Sequence, residues 1–138
     1  MSEIVLHGHC VSKGKVEGEA LVSQMRIGFL GKFDTETGVL RDRGHDLDGV
    51  SVAGKILVFP MGKGSAANPY TMLELVRCGV PPKGIINVQA IHPIAVGAVM
   101  GNIPMIDKLD GNPVELIKTG DYVEMDAYTG TVRVIPRR

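Results

Sequence analysis

The sequence predicts an α/β domain in which a parallel βαβαβ unit sits between antiparallel, β-rich ends. Three observations carry this reading. Short apolar runs of strand length at 55–60, 84–88 and 103–106 alternate with two helical stretches. That order implies parallel strands joined by right-handed crossovers. Residues 122–125 and 131–135 alternate apolar and polar about 126–130, the pattern of a hairpin. Ile4 to Ser23 is rich in Val and Gly and reads as antiparallel strands joined by glycine turns.

In chain order, Gly28 to Gly49 comes next, with many turn formers and few apolar residues; it reads as a long loop. Loops of this length are uncommon in compact domains and often functional. Its charged residues Arg41, Asp42, Arg43, His45, Asp46 and Asp48 alternate in sign, as a solvated stretch with local pairing does. Lys55 to Pro60 is a buried strand by length and composition. A helix follows from Asn68 to Cys78. Asn68 is a good N-cap, and Pro69 suits the first helical position, where its missing N–H costs nothing. Met72, Leu73, Leu75 and Val76 form its apolar face, and Gly79 and Pro81 end it. Gly84 to Val88 is the second parallel strand. Pro93 to Met100 is apolar nearly all round, so that helix is expected to be buried. Gly101 stops it before the third strand at Ile103 to Ile106.

The 138 residues fit one domain spanning 1–138, and at this size a fold buries roughly two thirds of its unfolded surface. Hydrophobic residues reach 44%, enough for a core without disulfide staples; with no Trp and few other aromatics, aliphatic side chains must build it. Fifteen basic residues balance fifteen acidic ones, and no basic stripe marks a nucleic-acid partner. No basic leader precedes an apolar run and no run approaches the roughly 18 apolar residues of a membrane span, so a cytoplasmic protein is expected. Cys10 and Cys78 are the two cysteines. They fall short of the three or four thiolates, in round numbers, that hold an iron–sulfur cluster.

In open parallel sheets, ligands bind at the carboxyl ends of strands, near helix N-termini. The first such end is Pro60 to Ser65. There Gly62 and Gly64 are expected to turn backbone N–H groups toward one point as an anion-binding nest. Lys63 adds a cation, and Ser65 places a hydroxyl just before a helix. The spacing is not that of a Walker A loop. A plain strand-to-helix turn capped by Ser65 is the competing reading. Asn87, Gln89 and His92 follow the second strand and Asp107 ends the third, where caps and turns compete with functional roles. His7, His9 and Cys10 invite a metal site, yet alternation along a strand turns Cys10 away from the two imidazoles. No metal is expected there.

Gly54 to Ser65, ending in Gly62, Lys63, Gly64 and Ser65, is followed by Ile85 to Asn87, Ile94 to Gly97 and Ile103 to Asp107. With Gly38 to Asp42, His45 and Ile117 to Asp121, these segments resemble the small subunit of the aconitase X family over nearly the whole chain. The resemblance implies a swivelling β/β/α domain and a large catalytic partner subunit that carries an iron–sulfur cluster, with no cofactor bound by this chain. It implies a hydro-lyase that dehydrates a phosphorylated hydroxy acid, (R)-5-phosphomevalonate, to trans-anhydromevalonate 5-phosphate in a modified mevalonate route to isoprenoids. Fused relatives act on hydroxyproline. The family's catalytic serine carries over to Ser65, with Gly62, Lys63 and Gly64 against the substrate. Lys63 either holds the substrate's anionic group or tunes Ser65. Residues 94–106 and 120–132 are also similar to phosphohistidine swivelling domains, in which His92 would carry a phosphoryl group; those domains show Thr-Ser-His where this chain has Ala90, Ile91 and His92.

Overall fold

Strands β1 (Ile4–His7), β2 (His9–Ser12) and β3 (Lys15–Val22) open the chain, followed by the short strands β4 (Phe33–Asp34) and β5 (Val39–Leu40). The central unit is β6 (Ile56–Phe59), α1 (Asn68–Arg77), β7 (Gly84–Asn87), α2 (His92–Met100) and β8 (Met105–Asp107). A single-turn helix α3 (Pro113–Leu116) leads to β9 (Tyr122–Asp126) and β10 (Thr131–Ile135). This computed structural model describes residues 3–29, 31–63 and 68–137, residue 68 in its backbone only.

Eight strands hydrogen-bond in the order β1-β10-β9-β3-β6-β7-β8-β2. β3 is the joint. Its first part, Lys15 to Glu19, runs antiparallel to β9, and its second, Ala20 to Val22, runs parallel to β6. The sheet therefore folds over on itself. Ile56, Val58, Ile86 and Ile106 of the parallel half share one core with Val123, Met125, Val132 and Val134 of the antiparallel half. The alternate residues Leu57, Phe59, Ile85 and Met105 share a second core with Met72, Leu75, Ile94 and Ala98 of the helices. The layers run antiparallel sheet, parallel sheet, helices: β/β/α.

The burial patterns follow from this layering. β6 and β7 are buried at every residue, because a middle-layer strand has no solvent face. β9 and β10 bury alternate residues only, because their outer face is open. The predicted βαβαβ unit and terminal hairpin are both present.

Three expectations are corrected. The opening strands do not pair with one another: β1 joins β10 and β2 joins β8, at the two outer edges of the sheet. The chain turns that corner at Gly8, whose N–H donates to Gly130 O at 2.7 Å. The 28–49 segment is not an open loop. It contains the β4–β5 hairpin, and Ile27, Phe29, Leu40, Leu47 and Val52 are buried in the helix-side core. Phe29 stacks on Phe33 with ring centroids 4.9 Å apart. Finally, α2 buries Ile94, Gly97 and Ala98 but leaves Val99 54% and Met100 58% exposed. As an outer-layer helix it has one face on the sheet and another with no layer above it.

Candidate active site at the carboxyl edge of the parallel sheet

The ends of β6 and β7 are tied together by Pro60 O, which accepts the N–H groups of Val88 at 2.9 Å and Gln89 at 3.2 Å. Beyond Pro60 the chain stays extended and runs parallel to residue 27. Ile27 N–H donates to Met61 O at 3.3 Å, and Lys63 N–H donates to Ile27 O at 2.9 Å. The Lys63 amide is therefore held by a backbone carbonyl, while the nest expected of Gly62 and Gly64 turns on Gly64, which lies outside the described residues. Gly62 has a packing reason: it lies under Ile91 and Ile94, where a Cβ would collide with the Ile94 side chain. Gly64 and Ser65, on which the serine expectation rests, lie outside the described residues, as do Ala66, Ala67 and the side chain of Asn68.

The Lys63 side chain leaves this ladder past Gly28, and its Nζ stands 3.9 Å from Asp42 Oδ2. Lys32 Nζ stands 3.8 Å from Oδ1 of the same carboxylate. Asp42 is only 15% exposed, whereas Lys32 and Lys63 are about half exposed, at 47% and 55%. The loop that brings Asp42 here is held by its own polar groups. Asp42 N–H donates to Asp48 Oδ1 at 3.0 Å. Asp46 accepts from Ser23 Oγ at 2.6 Å and from Gln24 N–H at 2.8 Å. Buried His45 takes Leu47 N–H on Nδ1 at 3.0 Å, so the 2.9 Å contact of its Nε2 with Arg26 O is a donated bond. Asp46 Oδ1 approaches the same Nδ1 at 3.1 Å. The charged run of the loop is thus a fastened turn in which His45 is buried and Asp42 half-buried, while Arg41, Arg43, Asp46 and Asp48 stay exposed. Lys32 and the Asp42 bridge were missed in the sequence; the alternating charges were the available signal.

Along the same edge, Asn87 is fully buried and donates through Nδ2 to Phe59 O at 3.1 Å and Ile86 O at 3.2 Å. Its Oδ1 has no hydrogen-bond partner among the described residues. Asp107, also buried, accepts Ala90 N–H on Oδ2 at 2.9 Å, and its Oδ1 lies 3.0 Å from Nδ1 of exposed His9. It braces the entry to α2 against β8. The sequence reading left Asp107 between beginning a turn and a functional role; what it makes here is a tie from β8 to the residue before the N-cap Ile91. His92 begins α2, exposed, in a groove of about 340 Å³ lined by Pro69, Tyr70, Leu73, Pro93, Val96 and Met100.

His7 and His9 fall on separate strands; His7 sits 3.5 Å from Asp110 and His9 on Asp107. The backbone N–H of His7, and secondarily its imidazole, hold the Asp110 carboxyl below its ordinary range. Cys10 packs with the inter-sheet core and Cys78 follows α1 in the helical layer. Among the described residues no three His, Cys, Asp or Glu side chains gather as a metal site. These side chains do not fit an iron–sulfur cluster.

A curled sheet with a parallel βαβαβ layer covered by helices defines a β/β/α domain of the swivel type. The aconitase X swivel-domain model matches residues 5–134, and the chain belongs to that family. It is 43% identical to a protein of Methanocella arvoryzae named phosphomevalonate dehydratase small subunit, over 94% of this chain and 98% of that one. It is 46% identical to the protein of that name from Archaeoglobus fulgidus, over 91% and 94% of the two chains. Among solved structures, aconitase X of Thermococcus kodakaraensis in its holo form superposes with a TM-score of 0.91 at 42% identity, covering 96% of this chain and 99% of that chain. No helix among the described residues is long and apolar enough to cross a membrane.

Proposed function

We propose that this chain is the small subunit of a hydro-lyase that dehydrates (R)-5-phosphomevalonate to trans-anhydromevalonate 5-phosphate. The observation that carries the reading is the match, over nearly the full length of both chains, to relatives named as small subunits of phosphomevalonate dehydratase. A small subunit implies a larger one. The iron–sulfur cluster implied by the family resemblance belongs, in this reading, to that partner, because Cys10 and Cys78 lie in different layers and offer two thiolates at most.

In the reaction the C–H electron pair next to the carboxylate becomes the new double bond, while the C–O bond to the departing hydroxyl breaks. The base that takes the carbon's proton is Ser65, with Gly62, Lys63 and Gly64 lining the substrate. A serine hydroxyl is a poor base unless donors or cations stabilise its alkoxide. Support comes from the Lys63 side chain at the end of β6 and from α1, which begins at Asn68 with no acidic side chain in its first turn to offset its positive end. The test is to mix the purified chain with its larger partner subunit and follow loss of water from phosphomevalonate. Activity in the mixture alone is expected. Dehydration by the isolated chain, or none in a properly assembled mixture, would sink the reading.

The phosphoryl-carrier alternative makes an opposite prediction at His92. Among the described residues, the groove beside His92 is lined mainly by apolar side chains, with no Lys or Arg to steady a phosphoryl group. His92→Ala is expected to keep turnover within about tenfold, a barrier change of about 1.4 kcal/mol. Incubation with phosphoryl donors should leave no acid-labile phosphate on the chain. Label on His92 would make the chain a carrier.

A further inference from the structure

We infer that the groove between α1 and α2 is the surface on which the larger subunit docks, an apolar side chain of that partner seating against Tyr70 and Met100. Resting on the small-subunit reading, this assigns the contact to one face of the domain. The two helices lie side by side because Gly97 has no side chain: a Cβ there would meet Met72 Cβ and Pro69 Cα, both at 3.2 Å. Their outer surfaces form one groove of about 340 Å³, walled by Pro69, Tyr70 and Leu73 of α1 and by Pro93, Val96 and Met100 of α2. Tyr70 is 73% and Met100 58% exposed, so the chain itself does not close the groove. Among the described residues that line it, none is acidic and none is Lys or Arg. The cores of protein interfaces have this composition, rich in aromatic and Met side chains and poor in charge.

What covers the groove follows from where it begins. β6, β7 and β8 run parallel, so each helix starts at the carboxyl end of one strand and returns alongside the sheet. Tyr70 stands in the first turn of α1 and Pro93 in that of α2. The groove thus opens onto the edge at which a parallel sheet takes its ligand. A larger subunit that shares the reaction closes on that edge and meets an uncharged apolar surface beside it. The opposite outer face is unsuited to such a contact. On the antiparallel sheet Arg133 already pairs with Glu3 at 2.8 Å and with Glu124 at 3.5 Å, and Glu17 stands across from Glu124. Covering that face would strip water from every one of these charges.

The experiment titrates the full chain with the purified larger subunit and reads both the dissociation constant and turnover of phosphomevalonate. Met100→Lys sets a charge on the groove yet suits the C-terminal end of α2. It is expected to weaken binding about 30-fold, and Tyr70→Ala about tenfold, the worth of central interface residues. Both side chains are exposed, so the isolated variants should melt with the unaltered chain. At saturating subunit, kcat should return to within about threefold, because the groove assembles the enzyme and takes no part in the chemistry. Tyr128→Ala, an aromatic 68% exposed on the β9–β10 turn, should leave binding within about twofold. A complex that forms with the unaltered chain and ignores both groove substitutions overturns the inference and leaves the dehydratase reading standing. A complex weakened by both but inert toward phosphomevalonate keeps the docking face and rejects the reaction. No complex at all rejects both. A self-dimer of the isolated chain that Met100→Lys dissolves, with binding of the larger subunit untouched, would make the groove a contact between copies and overturn the inference.

Discussion

Ser65→Ala is expected to lower turnover of the assembled enzyme by roughly 10²–10⁴, the usual worth of a positioned acid–base group, while folding and assembly stay intact. The substitution removes one oxygen and keeps every residue described in the two buried cores. Were Ser65 merely a helix cap, its loss would cost about 1 kcal/mol of stability and leave turnover almost unchanged. The two roles thus separate cleanly in one variant. Thermal melting and co-elution with the larger subunit check the fold and assembly, and steady-state kinetics check the chemistry. Near-normal kcat in a correctly assembled variant would reduce Ser65 to a cap and leave the base to be found elsewhere.

The largest expected effect on stability lies at Gly130. Its φ is +74°, a left-handed conformation that costs a side chain about 1–2 kcal/mol. An added Cβ would also strike the carbonyl oxygen of Gly8, a backbone atom that cannot swing aside. Forcing atoms into a packed site costs typically about 1–3 kcal/mol more. Gly130→Ala is therefore expected to destabilise the chain by roughly 2–5 kcal/mol. The hydrogen bond from Gly8 N–H to Gly130 O would stretch, loosening the corner between β1 and β2. Gly120→Ala provides the contrast: φ is +96° but open space surrounds the site, so only the conformational part should appear. Denaturant unfolding of the two variants measures the difference. Equal losses would mean that the collision at Gly8 relaxes without consequence.

The parallel unit was legible because middle-layer strands need apolar residues on both faces, and Ile56 to Phe59 and Ile85 to Ile86 supply them without interruption. The terminal hairpin was legible for the opposite reason: Val123, Met125, Val132 and Val134 alternate with polar neighbours. The partners of β1 and β2 were not. β1 pairs Ile4 with Val134 and β2 pairs His9 with Asp107, near the other end of the chain, and no local pattern encodes such a choice. Burial of α2 was misjudged because an all-apolar stretch reports composition, not which side another layer covers. In the site, Lys63 could be named from its glycine neighbours, but its neighbour Asp42 could not. Lys32, Asp42 and Lys63 meet only after Ile27 has laid the long segment beside residues 61–63.

One strand serves both sheets. Because β3 hands over from β9 to β6 between Glu19 and Ala20, without a break, β3 itself offers no seam at which one layer could pivot on the other. Lys63 is bonded through Ile27 to the segment that directly follows β3, and Asp42 sits further along that same segment. Any rotation of this domain against another body would therefore act like the turn of a key. The cations and the anchor between them would travel together, their spacing unchanged, and the hinge would have to lie outside the three layers.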